Sequence, residues 1–443
     1  MPMFLLFDRR GAHINLDADP AACPTIASVE QLASPLREGQ ERLRTLPIDD
    51  IIGLFDAAAR SWTEPGHPVG RMLRERSLGF LVLWFRRQNL ESLCDVALHG
   101  NRQALDVFVP AMAGSTRLHR AHPRGLLVHW LAGNVPLLGM ISVAQGLLAK
   151  NANLVKASRQ NAGVLPFLLA ALRCVRFTGS SRGVIEGSLL TDSVTVVYAD
   201  REDVQSARAL SLLADVRVAW GGREAVETIG NLPRRLGAED IIFGPKTSFA
   251  VVGADALADE VAAKQTAQRL AHDTIALDQR GCNSPHTVFV ERGGVVTPQA
   301  FASLVAQELL LLANHLPPPS ITVPEAFEIL TRRAEYEMRG EAWDGEGVTW
   351  SVLYAEEEGL AVPCFGRTLS VRPVDDVFDV VRLCSAATQT AGLALTARRI
   401  ALAEALTARG VERCPELGSM ALYDTPWDGM YPIDRLVRWV SAL

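Results

Sequence analysis

The sequence predicts an α/β fold of two doubly wound, parallel-sheet lobes, and three features predict it. Short apolar runs recur along the chain, among them 125–130, 152–156, 193–198, 216–220, 248–253 and 287–290. Between them lie helix-length segments with an apolar face, 137–150, 164–175, 201–214, 255–270 and 298–313. Strand-length runs alternating with amphipathic helices are the pattern of βαβ units, whose crossover helices cover both faces of a parallel sheet. Glycines then stand where runs end, at Gly133 and at Gly221-Gly222, so that the chain can turn into the next helix.

Residues 1–115 are of mixed character and predict a helical region packed on the first lobe. Within it, 76–98 reads as one amphipathic helix carrying Leu81, Trp84, Leu90 and Leu93. The apolar start Met3–Phe7 is cut off by Asp8, Arg9 and Arg10, too soon for a signal-peptide core or a membrane span. Residues 116–245 form the first lobe and 246–410 the second, with the seam near Gly244-Pro245, and 411–443 form a C-terminal segment. In the second lobe Pro317-Pro318-Pro319 breaks the chain before a helix from Pro324. Strands near 369–373 and 392–396 follow, each leading into a helix.

Composition bounds the function. Hydrophobic residues make up 48% of the 443 and charged residues 21%, ordinary values for a globular chain of two or three domains. Lys and Arg number 44 against 50 Asp and Glu, and no basic block interleaves with aromatics, which argues against a nucleic-acid partner. The seven cysteines (23, 94, 174, 282, 364, 384, 414) show no CxxC and no His/Cys ligand spacing. Such a set predicts reduced thiols in a cytoplasmic protein and no metal site.

Four segments carry candidate chemistry. In Asp278-Gln279-Arg280-Gly281-Cys282-Asn283-Ser284-Pro285-His286 a thiol sits on a turn at a strand mouth, within reach of a substrate carbonyl. A cysteine serving only the core would sit inside the apolar run instead. Gly133-Asn134-Val135-Pro136 lies between a strand and a helix, where the Asn134 amide could donate to an oxyanion; from these residues alone a plain turn and helix start is the favoured reading. Lys156, with Ser158 and Arg159 after it, closes a strand and suits a ribose hydroxyl or a phosphate, Arg159 being placed for the 2′-phosphate of NADP. A solvated basic strand end is the competing reading. Gly221-Gly222 would let a pyrophosphate approach backbone N–H groups, although it is not a G-x-G-x-x-G fingerprint. His286 reads as a core histidine, because Pro285 and the strand after it remove any helical spacing to Cys282.

With these segments the chain resembles the aldehyde dehydrogenase superfamily, and within it the LuxC-type fatty acyl-CoA reductases. The residues that carry the resemblance are Gly133-Asn134-Val135-Pro136, 146–156, Trp220-Gly221-Gly222, Phe243-Gly244-Pro245-Lys246 and 279–285, with Asp428-Gly429-Met430-Tyr431-Pro432 and 436–440 in the tail. They run from about 120 to the end. The resemblance implies an aldehyde-dehydrogenase-like fold with a nicotinamide-cofactor lobe (116–245) and a catalytic lobe (246–410). It implies Cys282 as the acyl-accepting nucleophile and Asn134 as an oxyanion donor. Lys156, Ser158, Arg159, Gly221, Gly222 and Phe365 would bind the cofactor, and Arg159 favours NADPH. Substrates would be acyl-CoA or acyl-protein thioesters, with an acyl-protein synthetase or carrier protein as partner and a homo-oligomer as the assembly.

Two departures sharpen the expectation. Acid-forming members carry a Glu just before the Gly-Gly-Lys turn, where Ile242 stands here, and isoleucine cannot activate water. The Glu that usually precedes a Phe-Gly pair is absent from Pro363-Cys364-Phe365-Gly366. Without the base, an acyl-cysteine would survive to be reduced. Two rivals stand beside reduction: an aldehyde dehydrogenase working in the oxidative direction, and a non-redox cysteine acyltransferase.

Overall fold

The computed structural model describes residues 2–76, 78–133, 135–180, 183–316 and 321–442. The chain divides into two compact units, one of Met1–Arg74, Leu78–Gly244 and Asp424–Leu443, the other of Glu75–Ser77 and Pro245–Tyr423. The N-terminal region therefore belongs to the first unit, and the tail returns to it after Tyr423. Among the described residues no helix is long and apolar enough to cross a membrane.

The first unit is built on an eight-stranded sheet. Its strands run in the order Glu239–Phe243, Val216–Trp220, Leu126–Trp130, Ala152–Lys156, Val194–Tyr198, Met3–Asp8 and Gly11–Ala12, with Thr25–Ile26 also paired to Met3–Asp8. The first five are parallel, and Met3–Asp8 joins antiparallel against Val194–Tyr198. The sequences LLVHW, VTVVY and VRVAW are buried along their whole length, as parallel strands covered on both faces must be. Arg217 is tolerated inside VRVAW because its guanidinium forms a fork on Asp240 at 2.6 Å and caps the carbonyls of Ile229 and Leu232. A separate antiparallel sheet joins Val437–Ala442, Leu118–Pro123 and Val109–Pro110.

The second unit holds a six-stranded sheet in the order Glu341–Asp344, Ser351–Tyr354, Thr368–Val374, Pro285–Glu291, Thr247–Val252 and Thr388–Ala394. All but the first are parallel. One face packs Val288, Val290 and Val371 on Phe301 and Val305 of the helix Pro298–Ala313 and on Leu270 of the helix Glu260–Ile275. The other stacks Phe249 edge-to-face on Phe289 at 5.6 Å, over Leu402 and Leu406. Each such buried side chain contributes roughly 1.5–3 kcal/mol of burial free energy.

The expected single helix over 76–98 is broken. Pro68–Glu75, Phe80–Trp84 and Arg87–Ala97 are separate helices; Leu78 lies outside them, and Arg86, with a ψ of 138°, is extended. Phe85, between the second and third of these helices, packs in the core on Phe55 at 4.8 Å and on Trp62 at 5.7 Å.

Candidate active site

The cysteine turn is assembled in the second unit, at the amino ends of its parallel strands. The helix Glu260–Ile275 starts on Asp259, which accepts the Ala262 N–H at 2.8 Å, and ends where the backbone leaves the helical region. Leu277, Asp278 and Gln279 then take left-handed φ values of 53°, 51° and 60°. Each such residue costs roughly 1–2 kcal/mol, so three in a row persist only where surrounding contacts over-determine them. Those contacts are present. The buried Gln279 amide donates to the carbonyls of Pro285 (2.8 Å) and Thr368 (2.7 Å) and accepts the Thr368 N–H at 2.8 Å. Asp278 accepts from the fully buried Arg367 at 2.6 and 3.1 Å. Phe365, Gly366 and Arg367 are themselves left-handed, so two left-handed triplets clasp each other ahead of Cys282.

The turn itself closes with the Ser284 N–H on the Gly281 carbonyl at 3.0 Å. A Cβ on Gly281 would stand 2.4 Å from the Asn283 side-chain oxygen, so a larger residue there would displace that buried amide. Ser248 donates to the Cys282 carbonyl at 2.6 Å, and the buried Asn283 amide donates to the Met420 carbonyl at 2.8 Å. Cys282 is left half-buried on a turn pinned on both sides. Arg280 stands over the Phe365 ring at 5.9 Å and forks onto Glu325, whose carboxyl this bond holds down to about 2. His286 meets the same ring edge-on at 5.5 Å. Burial pushes it down to about 4, and its Nδ1 finds no hydrogen-bond partner among the described residues. It is a neutral, buried histidine.

The residues expected to hold the cofactor, Phe365 apart, lie in the first unit. Numbered in chain order, its five parallel strands are arranged 5-4-1-2-3, so the winding reverses between Leu126–Trp130 and Val216–Trp220. Ligands of open α/β sheets settle outside the carboxyl ends at such a reversal. Gly133 and Gly221-Gly222 follow those two strands, and Lys156 ends the next strand over. Lys156 is half-buried; desolvation lowers its affinity for the proton, partly countered by Asp200, and among the described residues no carboxylate pairs with it. Ser158 keeps a buried Oγ without a hydrogen-bond partner among the described residues. A Cβ on Gly133 would lie 2.6 Å from Gln160 Oε1 and 3.5 Å from that Ser158 oxygen, so bare backbone faces it. Gly222 opens the helix Arg223–Gly230 with no side-chain cap, and a Cβ there would meet nothing within 4 Å. A vacant polar oxygen, a half-buried ammonium and an open helix start suit the ribose and phosphates of a dinucleotide. Arg159 does not stand free: its Nη2 donates to both oxygens of Asp19 at 3.0 and 3.1 Å. Asn134 lies outside the described residues.

A buried chain underlies the Gly-Gly turn. Trp220 Nε1 donates to Ser142 Oγ at 3.2 Å; Ser142 lies 2.9 Å from His129 Nδ1, and His129 Nε2 lies 3.0 Å from Asn153 Oδ1. Burial pushes His129 down to about 4, so it is neutral. Trp220 stacks on Phe243 at 3.7 Å. In the strand Glu239–Phe243, Ile242 is partly exposed, and both carboxylates are engaged by arginines: Glu239 by Arg435, Asp240 by Arg217 and Arg234. Asp19, Ser248, Arg367 and the role of Gln279 were not readable from the sequence. Gln279 stood within the singled-out segment, but two of its three hydrogen bonds are to Thr368, 89 positions away.

A family model described as acyl-CoA reductase (LuxC) matches residues 43–439. Long-chain acyl-protein thioester reductase 2 of Photobacterium leiognathi is 28% identical over 332 residues, covering 73% of this chain and 65% of that protein. The long-chain acyl-protein thioester reductase of Vibrio harveyi is 26% identical over 417 residues, covering 90% and 83%. Thus the match takes in just under two thirds of the first relative's length. Among solved structures, lactaldehyde dehydrogenase from Escherichia coli superposes with a TM-score of 0.62 at 12% identity, covering 100% of this chain and 98% of that one. Aldehyde dehydrogenase 21 from Physcomitrella patens superposes at 0.63 and 12%, covering 99% and 94%. These give the aldehyde dehydrogenase fold, and the match over 43–439 gives the kinship: the chain belongs to the LuxC family of acyl-CoA reductases.

Proposed function

We propose that this protein reduces a fatty acyl thioester, on CoA or on a protein, to the aldehyde, with Cys282 as acyl carrier and NADPH as reductant. The observation that carries the reading is the half-buried Cys282 on a turn locked by Gln279, Ser248 and Asn283 in a chain of this family. The Cys282 thiolate attacks the thioester carbonyl, the donor's sulfur leaves with the C–S bonding pair, and a new thioester remains on Cys282. NADPH, when bound, would supply a hydride to the acyl carbon. The tetrahedral thiohemiacetal anion on Cys282 would then collapse to the aldehyde, the C–S bonding pair returning to the Cys282 thiolate. Lys156 and Ser158 would hold the adenosine ribose, the Gly222 helix start the pyrophosphate and Arg159 the 2′-phosphate. Asn134 would donate to the oxyanion. That both carboxylates of the strand around Ile242 are tied to arginines supports reduction over hydrolysis. A homo-oligomer and an acyl-protein synthetase partner belong to the same reading.

Intact-protein mass after mixing with acyl-CoA or acyl-protein, before and after NADPH, tests it. The acyl mass should appear on wild type, be absent from Cys282→Ala, and vanish with NADPH as aldehyde forms. Acyl mass that persists on NADPH addition would instead favour the non-redox acyltransferase.

A further inference from the structure

Residues 1–42 precede the stretch that the family model covers, yet they complete the first unit's sheet through Met3–Asp8. The chain then runs back over the start of the helix Val164–Arg173. The approach is close: a Cβ on Gly163 would stand 2.2 Å from the Leu16 carbonyl oxygen and 2.5 Å from that of Asn15. Three residues after Leu16, Asp19 caps the short turn Pro20–Ala22, accepting the Ala21 N–H at 3.1 Å. A segment docked on Gly163 and a turn capped by its own carboxylate thus present Asp19 to Arg159.

We propose that Asp19 competes with the cofactor's 2′-phosphate for Arg159 and so limits how strongly the protein prefers NADPH over NADH. The inference rests on the reading of Arg159 as the 2′-phosphate anchor. The side chains of Arg159 and Asp19 are 62% and 54% exposed, so the pair is readily exchanged. A phosphate monoester carries nearly two negative charges near neutral pH and takes the guanidinium from a single carboxylate. Asp19 then remains nearby, and with Asp200 it sets like charge against the phosphate. A ribose 2′-hydroxyl carries no charge to repel, needs no arginine, and can donate to the carboxylate. The carboxylate therefore penalises the phosphorylated cofactor alone.

Isothermal titration of the full chain with NADP⁺ and NAD⁺ tests this without any acyl donor. Wild type, Asp19→Asn, Asp19→Ser, Arg159→Ala and Asp19→Asn/Arg159→Ala are compared. Serine retains a cap for the Ala21 N–H without the charge, so loss of the turn is controlled. Both single Asp19 variants should bind NADP⁺ about 2- to 5-fold tighter, the size of one exposed charge contact, with no gain for NAD⁺. The gain should vanish in the double variant. Unchanged or weaker NADP⁺ binding in both Asp19 variants, with affinity lost in Arg159→Ala, would overturn the competition and leave the anchor standing. NADP⁺ binding unaffected by Arg159→Ala would remove the anchor, and this inference with it.

Discussion

Gln279 does the work of a small piece of secondary structure. One amide satisfies two carbonyls and one N–H while holding a residue whose own φ is 60°. Truncation would leave three buried backbone groups without this partner and release the strained run before Cys282. Gln279→Ala should therefore cost about 2–4 kcal/mol and lower the thermal unfolding midpoint. It should also slow acylation of Cys282 about tenfold or more, because a displaced nucleophile loses its attack geometry. The check is the acylation rate by mass spectrometry, normalised to folded protein. An unchanged rate would mean that the clasp serves folding alone.

At the scale of elements, the helix Glu260–Ile275 and the loop after Pro415 are tied by one carboxylate. Asp273 accepts the N–H groups of Gly418 and Met420, the latter at 3.0 Å, and the Met420 carbonyl in turn accepts from Asn283, next to Cys282. Burial nevertheless pushes Asp273 from 3.8 up to about 7. The sign follows from linkage. Between those values the unfolded chain has lost the proton and the folded chain keeps it, so stability is full below about pH 4 and falls as pH rises toward 7. The loss is on the order of 2–4 kcal/mol. Asp273→Asn should flatten this part of the profile, seen as a smaller difference between unfolding midpoints at pH 4.5 and 7. Equal slopes in wild type and variant would rule the carboxyl out as the titrating group. His129 works in the opposite sense: lowered to about 4, it withdraws stability as pH falls below about 6.5.

For the whole molecule, the proposed mechanism assigns its two half-reactions to residues of different units. Cys282 and its clasp belong to Pro245–Tyr423, whereas Lys156, Ser158 and Gly222 belong to Leu78–Gly244. Lys156→Ala should raise the KM for NADPH about tenfold or more, since a half-buried ammonium contact to ribose or phosphate is lost. Acylation of Cys282 in the absence of cofactor should keep its wild-type rate. Cys282→Ala should bind NADPH normally and accept no acyl group. Stopped-flow acylation and cofactor titration on the two variants read both arms. Loss of acylation in Lys156→Ala would show that the lysine acts in the chemistry of the thioester.

The alternation of buried runs and amphipathic helices sufficed for the fold class, because period and length report local burial and every strand of a parallel sheet is covered on both faces. The turn that carries Cys282 was equally legible, since Gly281 and the small polar residues after the cysteine favour a turn at a strand start. Antiparallel addition of Met3–Asp8 to the sheet and the breaks at Leu78 and Arg86 were not. Neither was the pairing of two left-handed triplets nearly ninety residues apart, or the capture of Arg159 by Asp19 across 140. Such contacts depend on which distant segments the folded chain brings together, and no local pattern of hydrophobicity or turn propensity encodes that. The sequence by itself determined the fold class and which residues are candidates for the chemistry. The tertiary structure alone decided what holds them in place, because only packing can supply the partners that make a strained turn stable.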